Sequence, residues 1–291
     1  MTQHRSPLVS VIIPTYNRAH ILDLSITSVL NQTIEDIEVI IVDDASTDET
    51  SSLVANMNDA RIHYICLKHN RGANVARNTG ISQARGQYIA FQDSDDEWLP
   101  HKLEKQLLAL EQLTKKKGIV YCQYQRIENG SLGRVFGKPF NPNTLLRQSY
   151  IGTPTMVAHR SCFIREQFDE MLPRRQDWEI CLRLMQKYPF VFVPEVLVLS
   201  HTSQRSVSQS PTILQAYEYI FTKHHALIRQ GKRATAEFHH KIGIFSIVNG
   251  EWSKGKSNLV RAVRTWPFDV RYWARATAAV LGPFIYSRLF S

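Results

Sequence analysis

Glu38-Val39-Ile40-Ile41-Val42-Asp43-Asp44 is a β-branched run that ends abruptly on two carboxylates. Such composition, bounded by polar turn residues, predicts a buried strand. Two other runs share its make-up, Val9-Ser10-Val11-Ile12-Ile13 before it and Gln87-Tyr88-Ile89-Ala90-Phe91 after it. Between the first two, Ile21, Leu22, Leu24, Ile26, Val29 and Leu30 trace one helical face, and a second amphipathic segment covers Thr50 to Met57. Strand, helix, strand, helix predicts an α/β fold built on a parallel sheet.

The alternation continues outward. After Trp98-Leu99-Pro100, a helix through Leu103, Leu107, Leu108, Leu110 and Leu113 leads to the apolar run Gly118-Ile119-Val120-Tyr121-Cys122. From Phe136 to Ser149 the chain turns to Gly, Pro and Asn, which is loop chemistry and reads as a mobile or acceptor-facing segment. Ala216 to Trp266 is helical in pattern, and Gly250 to Pro267 resembles half of a helix-pair repeat that occurs once. The tail from Val270 to Ser291 mixes Trp273, Phe284 and Phe290 with Arg271, Arg275 and Arg288, and Gly282-Pro283 interrupts it. A bilayer span needs roughly 20 apolar residues, so the tail is expected to lie on a membrane surface instead.

A net charge of +9 suits polyanionic partners. No basic run is interleaved with aromatics, and Lys115-Lys116-Lys117 reads as a solvated helix end, so nucleic acid is not the expected partner. The cysteines, Cys66, Cys122, Cys162 and Cys181, form no C-x-x-C pair, which argues against a zinc site or disulfide framework and for a reducing, cytoplasmic compartment. The apolar stretch Val9 to Ile13 is too short for a signal-peptide core.

The chemistry lies in the acids. Asp43-Asp44 and Asp93-Ser94-Asp95-Asp96 each follow a predicted strand, and in open parallel sheets ligands bind at the carboxyl ends of strands. Gathered carboxylates repel one another, which asks for Mg²⁺ or Mn²⁺, and a hard ion there would bridge to phosphates. Arg71 and Arg77 could meet a diphosphate. Taken singly, Asp43 and Asp44 are better read as turn or helix caps.

Together, Val9 to Arg18, Val42-Asp43-Asp44-Ala45-Ser46, Ala76-Arg77-Asn78-Thr79-Gly80 and Gln92-Asp93-Ser94-Asp95-Asp96 resemble family 2 glycosyltransferases in order and spacing. The resemblance is dense over the first third of the chain and thins toward Ser208. It implies a GT-A fold, a mixed, mainly parallel sheet flanked by helices. It also implies a transferase domain over 1–215, with a donor half to about 118 and an acceptor half after it, and a helical extension over 216–291. The implied activity is inverting transfer of a sugar from a nucleotide-sugar donor to a hydroxyl of a saccharide or lipid-linked acceptor, at the inner face of the cell membrane. By the same resemblance Pro14, Thr15, Tyr16 and Asn17 hold the nucleotide. Asp44 accepts from the base's imide N–H, which points to uracil and a UDP-sugar. Arg77, Asp93 and Ser94 orient the donor, and Asp95 ligates the metal.

The family's base, an Asp usually preceded by Glu, falls on Asp177, with Gln176 in the Glu position and Glu179 as runner-up. His201 and Ser206-Val207-Ser208 resemble the family's tail motif, near the diphosphate. The competing classes fit less well. A dinucleotide-binding oxidoreductase would need a glycine-rich turn after the first strand, where Pro14-Thr15-Tyr16-Asn17 stands. A receiver-type domain would be much shorter, a nucleotidyltransferase would release pyrophosphate, and a degenerate scaffold of the same fold would not need Asp93, Asp95 and Asp177 intact.

Overall fold

The computed structural model describes residues 6–113, 117–201 and 212–290; Lys115, Lys116 and Ser206-Val207-Ser208 lie outside them. The chain runs β1 (Val9–Thr15), α1 (Leu22–Leu30), β2 (Ile37–Asp43), α2 (Thr50–Asn56), β3 (Ile62–Cys66), α3 (Ala73–Gln83), β4 (Tyr88–Phe91), β5 (Asp96–Trp98) and α4 (Lys102–Glu111). Next come β6 (Ile119–Glu128), β7 (Ser131–Phe136), α5 (Pro142–Leu145), β8 (Met156–His159), α6 (Arg160–Arg165), α7 (Gln176–Leu184) and β9 (Phe190–His201). Six helices end it: α8 (Thr212–Lys223), α9 (His225–Arg229), α10 (Lys232–Val248), α11 (Trp252–Thr265), α12 (Val270–Leu281) and α13 (Pro283–Phe290).

The strands form a mixed sheet in the order β3-β2-β1-β4-β8-β6-β9-β5, with β7 paired to β6. β1, β2, β3 and β4 are mutually parallel, and β6 and β9 share their direction; β5, β7 and β8 oppose it. Every residue of β1 and β2 is buried, as expected of strands covered on both faces. Val9, Val11 and Ile13 join one core cluster with Leu22, Ile26 and Val29 of α1 and Leu103, Leu107 and Leu110 of α4.

Ile12 meets α3 instead. A Cβ added at Gly80 would stand 2.4 Å from Ile12 Cγ2, so helix and strand touch where only hydrogen fits. The other buried residues of α3 include Asn74, Arg77 and Asn78, which is unusual for a helix on a sheet. Asn78 donates to and accepts from the backbone of Phe168, both at 2.9 Å, and Asn74 donates to the Asp169 carbonyl at 2.8 Å. The polar face of α3 is thus a backbone clamp.

The chain divides into two compact units. The first holds the whole sheet with α1–α4, α6 and α7; the second takes Asn141–Ser149, Leu172–Arg175 and the helices from α8 onward. Within the second, α10 and α11 meet at glycines, a Cβ at Gly255 falling 2.4 Å from Ile247 Cγ1. A separate core forms there around Leu259, Ala262, Tyr272, Ala276 and Ala279. The expected loop after Phe136 contains one helical turn, α5, whose start Asn141 caps by accepting from the Thr144 N–H. No described helix is long and apolar enough to cross a membrane.

Gly80→Ala should destabilise the protein. In an open helix Ala would gain about 0.8–1 kcal/mol over Gly, but overpacking against fully buried Ile12 costs about 1–3 kcal/mol and wins. Urea denaturation should show a lower midpoint with unchanged slope.

Candidate active site

β2, β1 and β4 lie side by side and parallel, so their carboxyl ends open on one edge of the sheet. Pro14, Thr15 and Tyr16 end β1, Asp44 follows β2, and Asp93, Ser94 and Asp95 follow β4; with Arg77 from α3 they line a cleft of about 270 Å³. Tyr16 is 45% exposed, leaving its ring open at the rim. Asn17 does not line the cleft. Its N–H donates to Ser46 Oγ at 2.8 Å and its Oδ1 accepts from the Thr47 N–H at 2.8 Å, tying the loop after β1 to the loop after β2. Asn17 and Ala45 hold positive φ, 51° and 65°, a conformation that strains an alanine.

Asp43 and Asp44 do different work. Asp43 turns inward, accepting from the Ser46 N–H at 2.8 Å and from the Tyr64 hydroxyl. Asp44 reaches across the cleft floor and accepts from the N–H groups of Arg71 and Gly72, at 2.8 and 2.6 Å. It fixes the turn into α3 and keeps one lone pair on each oxygen. The Arg71 side chain leaves the cleft for Glu170 at 3.4 Å, so of the two arginines expected to meet a diphosphate only Arg77 lines it. The Arg77 side chain is 4% exposed and bonds Asp93 Oδ1 at 2.7 Å. Its Nε and Nη1, and Thr15 Oγ1, are buried without a hydrogen-bond partner. Orphaned buried polar atoms on a cleft wall are what a polar ligand leaves behind.

The acids after β4 repel one another. Burial first, and then the charge of Asp93, raise the pKa of the Asp95 carboxyl, with Arg18 and His201 pulling the other way. Asp96 is raised well above the ordinary carboxylate range by burial and by Asp93 and Asp95. A cation at Asp95 would relieve this repulsion. Among the described residues no three His, Cys, Asp or Glu side chains converge as a cage.

Asp177 stands in the first turn of α7, accepting from the Trp178 N–H at 2.8 Å, and does not line the cleft. Tyr124 lies on β6, paired with Val198 of β9. Burial raises the Tyr124 phenol pKa, Arg126 opposes that, and the charges of Asp177 and Asp96 both add to the rise. Glu179, the runner-up base, is fully buried and its two oxygens hold the Arg183 guanidinium at 2.9 and 2.8 Å. His201 ends β9 one residue past Ser200, the register partner of Asp96, with its Nε2 3.6 Å from Glu97.

The chain matches the model of glycosyl transferase family 2 over residues 10–172. It is 35% identical over 181 residues, 62% of this chain and 70% of the other, to an Escherichia coli UDP-Glc:alpha-D-GlcNAc-diphosphoundecaprenol beta-1,3-glucosyltransferase, WfgD. The chain belongs to glycosyl transferase family 2. Its fold is that of Staphylococcus aureus TarS 1-349, solved with UDP-GlcNAc (TM-score 0.66, 20% identity, 97% of this chain and 87% of that one). It is also that of the mannosyltransferase PcManGT of Pyrobaculum calidifontis, solved with GDP-Man and Mn²⁺ (TM-score 0.63, 21% identity, 95% and 85%). The GT-A fold expected from the motifs is the fold observed.

This glycosyltransferase carries cleft residues that the motifs left without a role. Arg18 lines the cleft and stands 3.8 Å from Asp95, and Ala73 and Ala76 bring the first turn of α3 to its wall. Arg18 follows directly on the Pro14-Thr15-Tyr16-Asn17 run, and that adjacency was the available signal. Asp44→Asn should lower stability by about 1–3 kcal/mol, because an amide presents N–H toward one of two N–H groups now bonded to carboxylate oxygen. A thermal melt checks it, and a midpoint equal to wild type would contradict the floor-pinning role.

Proposed function

We propose that the protein transfers a sugar from a UDP-sugar to a hydroxyl of a saccharide or lipid-linked acceptor, inverting the anomeric centre. The observation that carries this is Arg77, a buried guanidinium held on one side by Asp93 and unsatisfied on the other, in the wall of an acid-lined cleft. The family relation supports it, as do the UDP-GlcNAc bound by TarS and the UDP-Glc named for WfgD.

The base stacks on Tyr16 beside Thr15 and Pro14, and an imide N–H reaches a free lone pair of Asp44. Arg77 turns its open nitrogens to the diphosphate, while Asp93 and Ser94 hold the ribose and sugar. Asp95 would hold a divalent cation, Mn²⁺ or Mg²⁺, which when bound would supply charge neutralisation for the departing diphosphate. Asp177 takes the acceptor proton as its oxygen attacks the anomeric carbon. Gln176 adds no second negative charge beside Asp177, so this base does without the like-charge neighbour the family usually places there. His201 closes toward the diphosphate. The donor half runs to about residue 118, the acceptor half to about 215, and the helices follow.

The acceptor's place is the membrane surface. Trp273 (51%), Phe284 (76%), Leu281 (62%) and Leu289 (63%) are exposed on α12 and α13. Phe290, by contrast, packs on Tyr286 at 5.2 Å. An apolar groove of about 320 Å³ lies along Val260, Val263, Trp273, Val280 and Leu281. From Trp252 to Phe290 the chain carries seven basic residues (Lys254, Lys256, Arg261, Arg264, Arg271, Arg275, Arg288) against one acid, Asp269. Apolar anchors beside cationic side chains are what an anionic bilayer surface binds.

Two experiments test this. Nucleoside diphosphate release from a panel of nucleotide sugars should require Mn²⁺ or Mg²⁺, favour UDP-sugars and vanish in Asp95→Ala. Transfer to acceptor should fall by about 10²–10⁴ in Asp177→Asn, the range of a general base; turnover without metal, or full transfer in Asp177→Asn, would overturn the assignments. In flotation with vesicles containing phosphatidylglycerol at low salt, wild type should bind, and Trp273→Ser/Phe284→Ser should bind about tenfold or more weakly, since each buried aromatic contributes about 1.5–3 kcal/mol. Equal binding by the two would remove the membrane from the account.

A further inference from the structure

The hairpin of β6 and β7 presents one face on which alternate residues of each strand gather: Tyr124 and Arg126 from β6, Arg134 and Phe136 from β7. Tyr124 stacks on Phe136 with ring centroids 4.9 Å apart and planes 10° off parallel. Both guanidiniums lie against the same Phe136 ring, Arg126 at 4.6 Å and Arg134 at 5.3 Å from its centroid. Each is exposed, and among the described residues neither forms an ion pair with a carboxylate.

Two like charges on facing strands destabilise a hairpin. An aromatic ring offsets part of this by cation–π attraction, about 0.5–1 kcal/mol at an exposed site, and it also fixes where the guanidiniums stand. The result is a preorganised pair of five-donor forks, the geometry that binds phosphate oxygens two at a time. Arg126 is the register partner of Ser200 on β9, and Ser200 in turn pairs Asp96 on β5, so the hairpin pair stands two strands from the acids that follow β4.

We propose that Arg126 and Arg134, held on Phe136, bind a phosphate or diphosphate group carried by the acceptor next to the sugar that receives transfer. Tyr124 positions that sugar under Asp177. The acceptor is therefore anionic, and its charged group is read by the hairpin rather than by the donor cleft. This rests on the glycosyltransferase reading of the same site.

The test fills the donor cleft first. Protein saturated with UDP and Mg²⁺ is titrated calorimetrically with decyl diphosphate below its micellar concentration, and in parallel with neutral decyl maltoside. Wild type should bind the diphosphate and not the maltoside, and Arg126→Ala/Arg134→Ala should bind it at least tenfold more weakly at an unchanged unfolding temperature. Arg126→Lys, which keeps the charge and loses the fork, should fall between. Failure of wild type to bind UDP would count against the donor reading. Binding of UDP without binding of decyl diphosphate, or equal diphosphate affinity in the double variant, would overturn the acceptor site itself. If the double variant keeps the diphosphate and instead loses vesicles containing phosphatidylglycerol, the arginines face lipid headgroups and the proposal is wrong.

Discussion

Arg77 is a charge that the fold has taken out of water and only half compensated. A guanidinium buried to this extent needs its donors matched, and Asp93 meets one side while Nε and Nη1 stay open. It stays there because α3 has nowhere else to go. Gly80 lets the helix touch Ile12 of the central strand, and Asn74 and Asn78 clamp the backbone of Phe168 and Asp169 from the same helix. At the start of the helix, Asp44 holds the N–H groups of Arg71 and Gly72. Three polar side chains buried on one helix would be a poor way to build a core. They are a sound way to fix one guanidinium against the end of a strand.

The opposite end of the same sheet shows what satisfied burial looks like. Glu38 enters β2 with 2% exposure, yet it accepts from Ser10 Oγ at 2.5 Å, from the Arg85 N–H at 2.7 Å and from Arg85 Nε at 2.8 Å. Burial works against its ionisation, but these donors outweigh it and hold its pKa below the ordinary carboxylate value. Asp95 and Asp96 at the carboxyl ends move the other way, because burial and neighbouring acids face too few donors. One sheet, with one hydrogen-bond chemistry, satisfies a carboxylate at one end and leaves two strained at the other. The imbalance is thus local to the cleft, where a ligand can relieve it.

Much of this was legible in the residues. The β-branched runs of β1, β2 and β4 and the helical faces of α1, α2 and α4 carry periodicity and composition strong enough to stand alone. β3 (Ile-His-Tyr-Ile-Cys) and β8 (Met-Val-Ala-His) are short and chemically mixed, and three-residue β5 owes its form to pairing with β9. These strands exist because of partners distant in sequence, which no local window contains. The site divides in the same way. Cleft residues that follow strands could be placed by the rule for parallel sheets, and the i, i+4 pair of Glu179 with Arg183 is local to α7, whereas the departure of Arg71 to Glu170 and the pairing of Arg18 with Asp95 are tertiary facts. What decided each residue's use was the neighbour.

The net charge of +9 can now be apportioned. A uniform excess of lysine and arginine would fit any polyanion, but seven of the basic residues fall in the last three helices against a single acid, among exposed tryptophan, phenylalanine and leucine. Nucleic acid would be met by basic side chains with polar or stacking partners along a groove, whereas aliphatic side chains at 60% exposure or more gain nothing from a phosphate backbone. They gain from acyl chains. The arginines of the hairpin differ again, being few and oriented by a ring, which suits one discrete anion rather than a charged surface. Basicity in this chain therefore divides by the company each cation keeps. A carboxylate stands beside the cation at Arg77 and an aromatic ring under those at Arg126 and Arg134, while in the C-terminal helices Lys254 and Arg271 pair with carboxylates and Arg275 lies over Tyr286 and Phe290 among exposed apolar side chains.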